Sequence, residues 1–267
     1  MVYCTLKCKK GGEDFKYLLC IIYDGSVYVG YQSQKNGRSV QEELTRAACD
    51  LFGIRCDVTG CSRTDSGVHA NMFCATVEPH GGGDFETSIT PEKIPFAMNT
   101  RLPDSISVRS ARRVDDDFHA RYSVRSKEYI YRIYNLPTRD PFEVKRSWQV
   151  PKSIDIDGLS AMSEALAAFV GKRDFASCMA AGSKITDSVR HVTEADISVS
   201  GDVITVRIRA DGFLYNMVRI IVGTLVDVAY GKIPADSIPA RLESLDRRQM
   251  GRTAPPDGLY LNRVFYE

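Results

Sequence analysis

The order in which strand and helix patterns follow one another is the feature that most constrains this chain. The first half carries, in order, a strand at 15–23, a helix at about 40–51, strands near 54–58 and 72–77, a helix at about 90–98 and a strand at 106–114. An apolar run that ends at Asp24-Gly25 marks the first strand, and Ser39 and Glu42 form a capping box that opens the first helix. The predicted order is β-α-β-β-α-β.

The second half repeats this order. It carries a strand at 127–134, an alanine-rich helix at 159–170, strands at 189–199 and 203–210, a long helix at 215–230, a shorter helix near 235–245 and a closing strand at 259–266. Two such halves predict an α+β protein, in which two ferredoxin-like halves form a continuous sheet with helices packed on it and a cleft between them. We expect the two domains at 1–108 and 109–267.

Composition limits the setting in which this fold works. The 267 residues are 43% hydrophobic, which is enough for one large core or two small ones. The first ten residues lack a long apolar run, so we expect no signal peptide. The longest apolar stretch, 217–229, is too short for a membrane span and contains Arg219 and Asp227. These features predict a soluble, cytoplasmic protein without a membrane partner.

The eight cysteines could indicate disulfides or a metal site. They form no Cys-x-x-Cys pair, and only four histidines are available to complete a set of metal ligands. Several, such as Cys20 and Cys74, lie inside apolar runs, where a reduced thiol behaves as a small hydrophobic group. We therefore expect buried thiols and no metal, with Cys4 and Cys8 as the one pair that merits a metal assay.

The charge of the chain is nearly balanced, with 35 Lys and Arg against 34 Asp and Glu. A nucleic-acid-binding protein of net charge +1 must concentrate its positive charge on one face. Basic residues do cluster in one segment, at Arg109, Arg112, Arg113, Arg121, Arg125, Lys127 and Arg132. Because Asp115, Asp116 and Asp117 interrupt this cluster, a mixed solvated face is the alternative interpretation.

The stretch at 61–70, Cys-Ser-Arg-Thr-Asp-Ser-Gly-Val-His-Ala, concentrates functional groups without the apolar periodicity of a helix or a strand. Two interpretations are open. Asp65, Ser66 and Gly67 are ordinary turn formers, whose side chains bond the local backbone. Alternatively, the loop belongs to an active site and Asp65 is its reactive carboxylate.

Arg219 also admits two interpretations, because apolar residues flank it on nearly every side within 213–223. A helix that is apolar all round is buried, and a buried guanidinium without a carboxylate is costly. Arg219 therefore either extends along the helix to the surface or meets a carboxylate in the cleft, for which Asp65 is the candidate.

A series of short motifs along nearly the whole chain resembles the TruA family of tRNA pseudouridine synthases. The motifs are Tyr23-Asp24-Gly25, Tyr28-x-Gly30-x-Gln32, Ser39-Val40-Gln41, Arg63-Thr64-Asp65-x-Gly67-Val68-His69-Ala70, Phe118-His119-Ala120-Arg121, Tyr129-x-Tyr131, Asp174-Phe175-x-Ser177, Met217-Val218-Arg219-x-x-Val222-Gly223-Thr224 and Gly258-Leu259-Tyr260-Leu261. Each motif alone is weak, but their order and spacing together are specific. Tyr31 and Ser62 stand where the family commonly has tryptophan and glycine.

The resemblance implies an enzyme that isomerises uridine to pseudouridine in the anticodon stem-loop of tRNA, with positions 38–40 as the expected targets. It makes Asp65 the nucleophile and pairs it with Arg219 in the cleft. Tyr129 is then the ring on which the flipped uracil stacks. Arg63 is expected to fill the space that the base leaves or to hold a phosphate, and Arg121 to contact the RNA backbone.

The resemblance also implies a homodimer that binds one tRNA across both subunits, and a reaction that needs no cofactor and no metal. Two other functions are the alternatives. An RNA-binding protein without catalysis, such as a tRNA folding chaperone, has no need of Asp65 together with Tyr129 and Arg219. A metal-dependent hydrolase that uses Asp65 and His69 lacks further ligands at suitable spacing, and His69 is expected to be a structural residue of its loop.

Overall fold

Two units of secondary structure make up the chain, and a computed structural model describes residues 15–182 and 185–267 of it. Of these residues, 15–125 and 261–267 form the first unit, and 126–182 and 185–260 form the second. This division differs from the predicted boundary at 108/109, because a strand that spans that position, Ile106–Asp115, pairs along its length with the first strand of the chain. The Cys4 and Cys8 pair lies outside the described residues.

The first unit has the predicted β-α-β-β-α-β order. Its elements are β1 (Phe15–Tyr23), α1 (Val40–Phe52), β2 (Cys56–Gly60), β3 (His69–Pro79), α2 (Ile94–Asn99) and β4 (Ile106–Asp115). The strands are ordered β4-β1-β3 and are antiparallel, and β2 pairs with the second half of β3. Ser39 caps α1 by accepting a hydrogen bond from the Glu42 N–H at 3.2 Å.

Alternate residues of β1 form the core of the first unit. Tyr17, Leu19 and Ile21 are buried, and the Tyr17 ring stacks on the ring of Phe52 at the end of α1, with 5.7 Å between the ring centroids. The contact places α1 against this face of the sheet. The period of two in the strand and the apolar face of the helix therefore produce the packing that the sequence predicts.

The second unit contains more elements than the sequence predicts. They are β5 (Ser126–Tyr134), β6 (Trp148–Gln149), α3 (Ile156–Ala167), β7 (Gly171–Asp174), β8 (Val189–Ser200), β9 (Val203–Ala210), α4 (Met217–Ala229) and α5 (Ile238–Glu243). The strand order is β5-β9-β8-β7, antiparallel throughout, and β6 lies parallel to β5. The closing strand is β10 (Leu259–Phe265), most of which belongs to the first unit.

The mixed strands and helices confirm the predicted α+β class. The helix α3 begins at Ile156 rather than at 159, because the Asp155 side chain caps it by accepting from the Gly158 N–H at 2.9 Å. The helix α4 begins at Met217 rather than at 215, since Asn216 has a left-handed backbone with φ 61°.

The cysteines of the described residues are free thiols. Cys56, Cys61, Cys74 and Cys178 are buried, and Cys20 and Cys49 are half-buried. Burial raises the pKa of the Cys56 and Cys178 thiols to about 12, so these two groups are protonated at neutral pH. Within 15–182 and 185–267, no group of three or more His, Cys, Asp or Glu side chains is placed to hold a metal ion. Among the helices of those same residues, none has the length and apolar character needed to cross a bilayer.

Candidate functional site

The loop that carries Asp65 is held by backbone contacts with the segment that follows β1. Gly30 and Asp65 form an isolated antiparallel bridge, and the Tyr31 N–H donates to the Thr64 carbonyl at 3.1 Å. Gly30 has φ +119°, and a Cβ at this position would lie 2.7 Å from the Thr64 carbonyl oxygen. Only glycine combines this backbone conformation with so close an approach. The backbone of Asp65 is therefore fixed from outside its own loop.

Side chains beneath the loop support the same geometry. The hydroxyls of Tyr23 and Thr64 are hydrogen-bonded at 2.8 Å, and both residues are buried. The Ser66 hydroxyl donates to the Tyr28 carbonyl at 3.1 Å. Asp65 itself is half-buried and Arg63 is exposed. The arrangement combines a fixed backbone with a carboxylate that keeps partial access to solvent.

His69 ties this loop to the turn after β1. It is buried, and its Nδ1 accepts a hydrogen bond from the Gly25 N–H at 3.1 Å. The same Nδ1 lies 3.3 Å from Asp24 Oδ1, a distance that would form an ion pair only with a proton on Nδ1. The Gly25 contact excludes this ion pair, because an Nδ1 that accepts from a backbone N–H carries no proton. This contact gives His69 a structural role in its loop.

Arg121 lies on a second loop of the first unit, at 118–123, and is exposed. The Phe118 and Tyr266 rings lie 5.0 Å apart, and the Tyr266 hydroxyl donates to the Ala120 carbonyl at 2.8 Å. The end of the chain therefore holds the loop from which Arg121 extends into solvent.

Tyr129 lies in the second unit, on β5 opposite Ile208 of β9. It is buried, with 7% of its surface exposed, and its ring meets the Phe213 ring edge-on at 4.9 Å between centroids. Phe213 belongs to the segment that leads into α4. Tyr129 is thus packed against the segment that precedes α4 within this unit.

Arg219 is half-buried in the first turn of α4, and its side chain is oriented by two short hydrogen bonds. Its Nη1 donates to Asn216 Oδ1 and its Nε donates to the Ala254 carbonyl, each at 2.7 Å. Burial raises the pKa of the Tyr131 phenol, and the positive charge of Arg219 opposes that shift. Both observations describe a guanidinium fixed in a partly desolvated position rather than one that extends freely along the helix.

The carbonyl that holds Arg219 is placed by close packing of backbone on backbone. A Cβ at Gly223 would lie 1.8 Å from the Arg252 carbonyl oxygen, so the segment 251–254 runs directly over α4. The Gly251 N–H donates to the Thr224 hydroxyl at 2.9 Å and fixes the same segment. Gly223 and Thr224 stand in the motif of Arg219, but the sequence does not show that they position Ala254.

The structure places the predicted site residues in two groups. Asp65, Arg63 and Arg121 belong to the first unit, and Tyr129 and Arg219 belong to the second. Sequence reasoning missed Asn216, although an asparagine just before a helix is a recognisable signal, since asparagine tolerates the left-handed conformation better than most residues.

A family model described as tRNA pseudouridine synthase matches residues 19–123 and 165–267. The chain belongs to this family. The matched residues include Asp65, Arg63, Arg121 and Arg219, whereas Tyr129 lies between the two matched segments. The family inferred from the motifs is confirmed.

Curated relatives extend the match to nearly the whole chain. The tRNA pseudouridine synthase A of Acetivibrio thermocellus is 42% identical over 248 residues, which are 93% of this chain and 98% of the relative. That of Bacillus subtilis is 42% identical over 253 residues, which are 94% of this chain and 99% of the relative. A chain of a solved Cbf5-Nop10-Gar1 complex is similar, with a TM-score of 0.36 and 10% sequence identity. The similarity covers 92% of this chain and 48% of that chain, and at this TM-score it supports no conclusion.

Proposed function

We propose that this protein isomerises uridine to pseudouridine in the anticodon stem-loop of tRNA and that Asp65 is its nucleophile. The observation that carries the proposal is the match to tRNA pseudouridine synthase A relatives over 93% and 94% of the chain. The fixed backbone of Asp65 supports the assignment of the nucleophile, because a carboxylate that attacks a positioned substrate gains most when it needs no further ordering.

The reaction oxidises nothing, so it needs a nucleophile and not a redox group. The bond between N1 of uracil and C1′ of ribose breaks, the base turns, and a bond forms between C5 and C1′. The proton on C5 leaves and N1 gains one, so atoms and electrons balance within the substrate. Attack by an ionised Asp65 at C1′ or at C6 of the base would both give a covalent intermediate.

Arg219 is proposed to pair with Asp65 and to hold its carboxylate in the charged form. An opposite charge within a few ångströms favours ionisation of a carboxyl group. The hydrogen bonds from Arg219 to Asn216 and Ala254 support this role, because they orient the guanidinium before any substrate arrives. In this proposal Asn216 is a positioning residue.

The remaining residues are proposed to bind RNA. A uridine inside a stem must leave the stack, at a cost of about a few kcal/mol that protein contacts have to offset. Tyr129 is the proposed stacking partner of the flipped uracil. The exposed Arg63 is proposed to fill the space that the base leaves or to hold a phosphate, and the exposed Arg121 is proposed to contact the RNA backbone. We also propose a cytoplasmic homodimer as the working form.

The decisive experiment incubates the protein with unmodified tRNA transcripts and maps pseudouridine by carbodiimide adducts and primer extension. The wild type should modify the anticodon stem-loop. Asp65→Asn should abolish isomerisation while tRNA binding survives, because an amide cannot act as the nucleophile. Asp57→Asn is the matched control, since Asp57 is an exposed aspartate of the same unit. Normal turnover by Asp65→Asn would end the assignment.

The proposed pair is tested by a double-mutant cycle of Arg219→Met and Asp65→Asn. Removing one partner of a dry ion pair costs about 3–5 kcal/mol, and we expect less because both residues are half-buried. The second substitution should recover part of the stability lost in Arg219→Met, while activity stays absent. Urea unfolding of the four proteins gives the coupling, which should exceed the about 0.3–0.5 kcal/mol scatter of independent sites. Strict additivity with an active Arg219→Met would contradict the pair.

A further inference from the structure

The loop 118–123 displays a large aromatic ring that the proposed reaction does not use. Tyr122 is 77% exposed, yet its ring packs against the His119 ring, with centroids 4.3 Å apart and an angle of 37° between the planes. The Arg121 guanidinium carbon lies 5.9 Å from the centroid of the Tyr122 ring. An exposed aromatic ring beside an arginine is a combination with which proteins stack unpaired bases and contact phosphates.

The ring is held in place by its own loop. His119 Nδ1 accepts hydrogen bonds from the N–H groups of Arg121 and Tyr122, at 3.1 and 3.2 Å. The Ser123 N–H donates to the His119 carbonyl at 3.0 Å, and the His119 N–H donates to the Ser123 hydroxyl at 3.1 Å. These four contacts close the loop into a compact turn and fix the imidazole on which Tyr122 rests.

The loop is also anchored to the rest of the first unit. Tyr266 contacts it twice, through the ring of Phe118 and the carbonyl of Ala120, and the Phe118 N–H donates to the Asp115 carbonyl at 3.0 Å. An exposed side chain on a loop anchored in this way loses little conformational entropy when a ligand covers it. The loop therefore presents Tyr122 in a nearly bound conformation.

The charges that neighbour the ring in the sequence are mixed. Arg121 and Arg125 flank Tyr122 in the sequence and are exposed, and the exposed Asp115, Asp116 and Asp117 precede the loop. Lys16 Nζ lies 3.7 Å from Asp116 Oδ1 and offsets part of the acidic run. The arginine beside the ring favours an anionic polymer with planar bases over an apolar partner.

We propose that the His119–Tyr122 pair is a platform on which one unpaired tRNA base stacks, while Arg121 contacts a neighbouring phosphate. The inference rests on the proposed function and adds to it a contact for binding rather than for chemistry. Tyr122 is then a substrate-binding residue, and its loss should raise KM without lowering kcat at saturating tRNA.

The first test compares Tyr122→Ala, Tyr122→Phe and the control Phe96→Ala, since Phe96 is also 77% exposed in the first unit. Tyr122→Ala should weaken binding of unmodified tRNA about tenfold, as expected for one base stacked on a ring. Its kcat should be that of the wild type, and Tyr122→Phe should restore the affinity because the ring face is kept. Equal affinities of the wild type and Tyr122→Ala would overturn the platform.

The second test reads the stacking directly. The fluorescence of Tyr122→Trp should be quenched by tRNA, whereas that of Phe96→Trp should change little. Equal responses at the two positions would contradict a specific contact at Tyr122. A change in molecular mass of Tyr122→Ala by light scattering, with tRNA affinity kept, would mean that the ring meets a second copy of the chain, and would also overturn the proposal.

These outcomes separate the platform from the proposed function. Binding of tRNA does not depend on turnover. A wild type that binds tRNA without isomerising it would therefore contradict the proposed function. The tRNA affinities of the wild type and Tyr122→Ala would still decide whether the platform exists. A wild type that isomerises uridine, with Tyr122→Ala unchanged in KM, contradicts the platform alone. A wild type that does not bind tRNA overturns both.

Discussion

The two units hold their principal candidate site residues by different means. Asp65 of the first unit is placed through its backbone, by the bridge to Gly30 and the bond between Tyr31 and Thr64. Arg219 of the second unit is placed through its own side chain, by Asn216 and the Ala254 carbonyl. A close backbone contact is disrupted by a substitution that adds a side chain, whereas a side-chain contact is lost when a substitution removes its polar group. The comparison therefore predicts which substitutions disturb the fold and which disturb only the chemistry.

Gly30→Ala should have the largest effect. Its Cβ would lie 2.7 Å from the Thr64 oxygen, at a φ of +119°, so the loop of Asp65 must shift. We expect a loss of about 3 kcal/mol, from about 1–3 kcal/mol of overpacking and about 1–2 kcal/mol of backbone strain. Isomerisation should fall with it. Urea unfolding and the primer-extension assay measure the two effects.

Gly171→Ala is the matched control for Gly30→Ala. Gly171 has φ +111°, but nothing lies within 4 Å of its added Cβ. This variant should show the backbone strain alone, about 1–2 kcal/mol, with normal activity. If Gly30→Ala lost no more stability than Gly171→Ala and stayed active, the loop would not depend on the close approach of Gly30.

Asn216→Gly should have an intermediate effect. Glycine adopts the φ of 61° at this position without strain, but the acceptor for Arg219 is lost. A hydrogen bond to a charged group contributes about 1.5–3 kcal/mol, so stability should fall by up to this amount, and kcat at saturating tRNA should fall about 10–100-fold if the bond also orients Arg219 in the transition state. Urea unfolding should show a larger loss for Asn216→Ala than for Asn216→Gly, because alanine adds the strain of the left-handed backbone. An unchanged kcat in both variants would show that Arg219 does not need Asn216.

Glu43→Gln should have the smallest effect, because it removes a side-chain contact from the unit whose site rests on backbone. The hydrogen bond from Arg38, together with that from Arg46, lowers the pKa of Glu43 despite its burial. A lowered folded pKa stabilises the protein above the unfolded value of about 4.3 and loses this effect as pH falls through the folded pKa. We expect a loss of about 1 kcal/mol at pH 7, since both arginines are half-exposed.

Urea unfolding at pH 7 and at pH 3 checks this prediction. The difference between the wild type and Glu43→Gln should shrink at the lower pH, and the activity of the variant at pH 7 should be normal. A difference that grew towards acid would contradict the lowered pKa of Glu43.

The sequence predicted the parts of the fold that local patterns encode. The alternation in β1 and the Ser39 cap of α1 were sufficient to place the first elements. Two-residue β6 and four-residue β7 were missed, since so few residues show no period. The predicted boundary at 108/109 lies inside β4, whose pairing with β1 is a contact between distant residues that no local pattern shows.

For the candidate site, the sequence shows the residues but not the contacts that hold them. The motifs single out Asp65 and Arg219 as candidate site residues, because residue types and their spacing are properties of the sequence. The contacts that hold them are not, since Gly30 meets Asp65 and Ala254 meets Arg219 across 35 residues in each case. Only folding brings such partners together, and no local propensity reports them.

The closing strand β10 limits the order in which this protein can fold during its synthesis. Residues 261–267 complete the first unit, where the Arg125 N–H donates to the Phe265 carbonyl and Tyr266 holds the loop of Tyr122. A ribosome releases these residues only after the whole of 126–260. Although domains usually fold in the order of synthesis, the unit that carries Asp65 cannot acquire its last strand until the other unit has emerged. Nascent chains therefore hold an incomplete first unit until residues 261–267 have emerged.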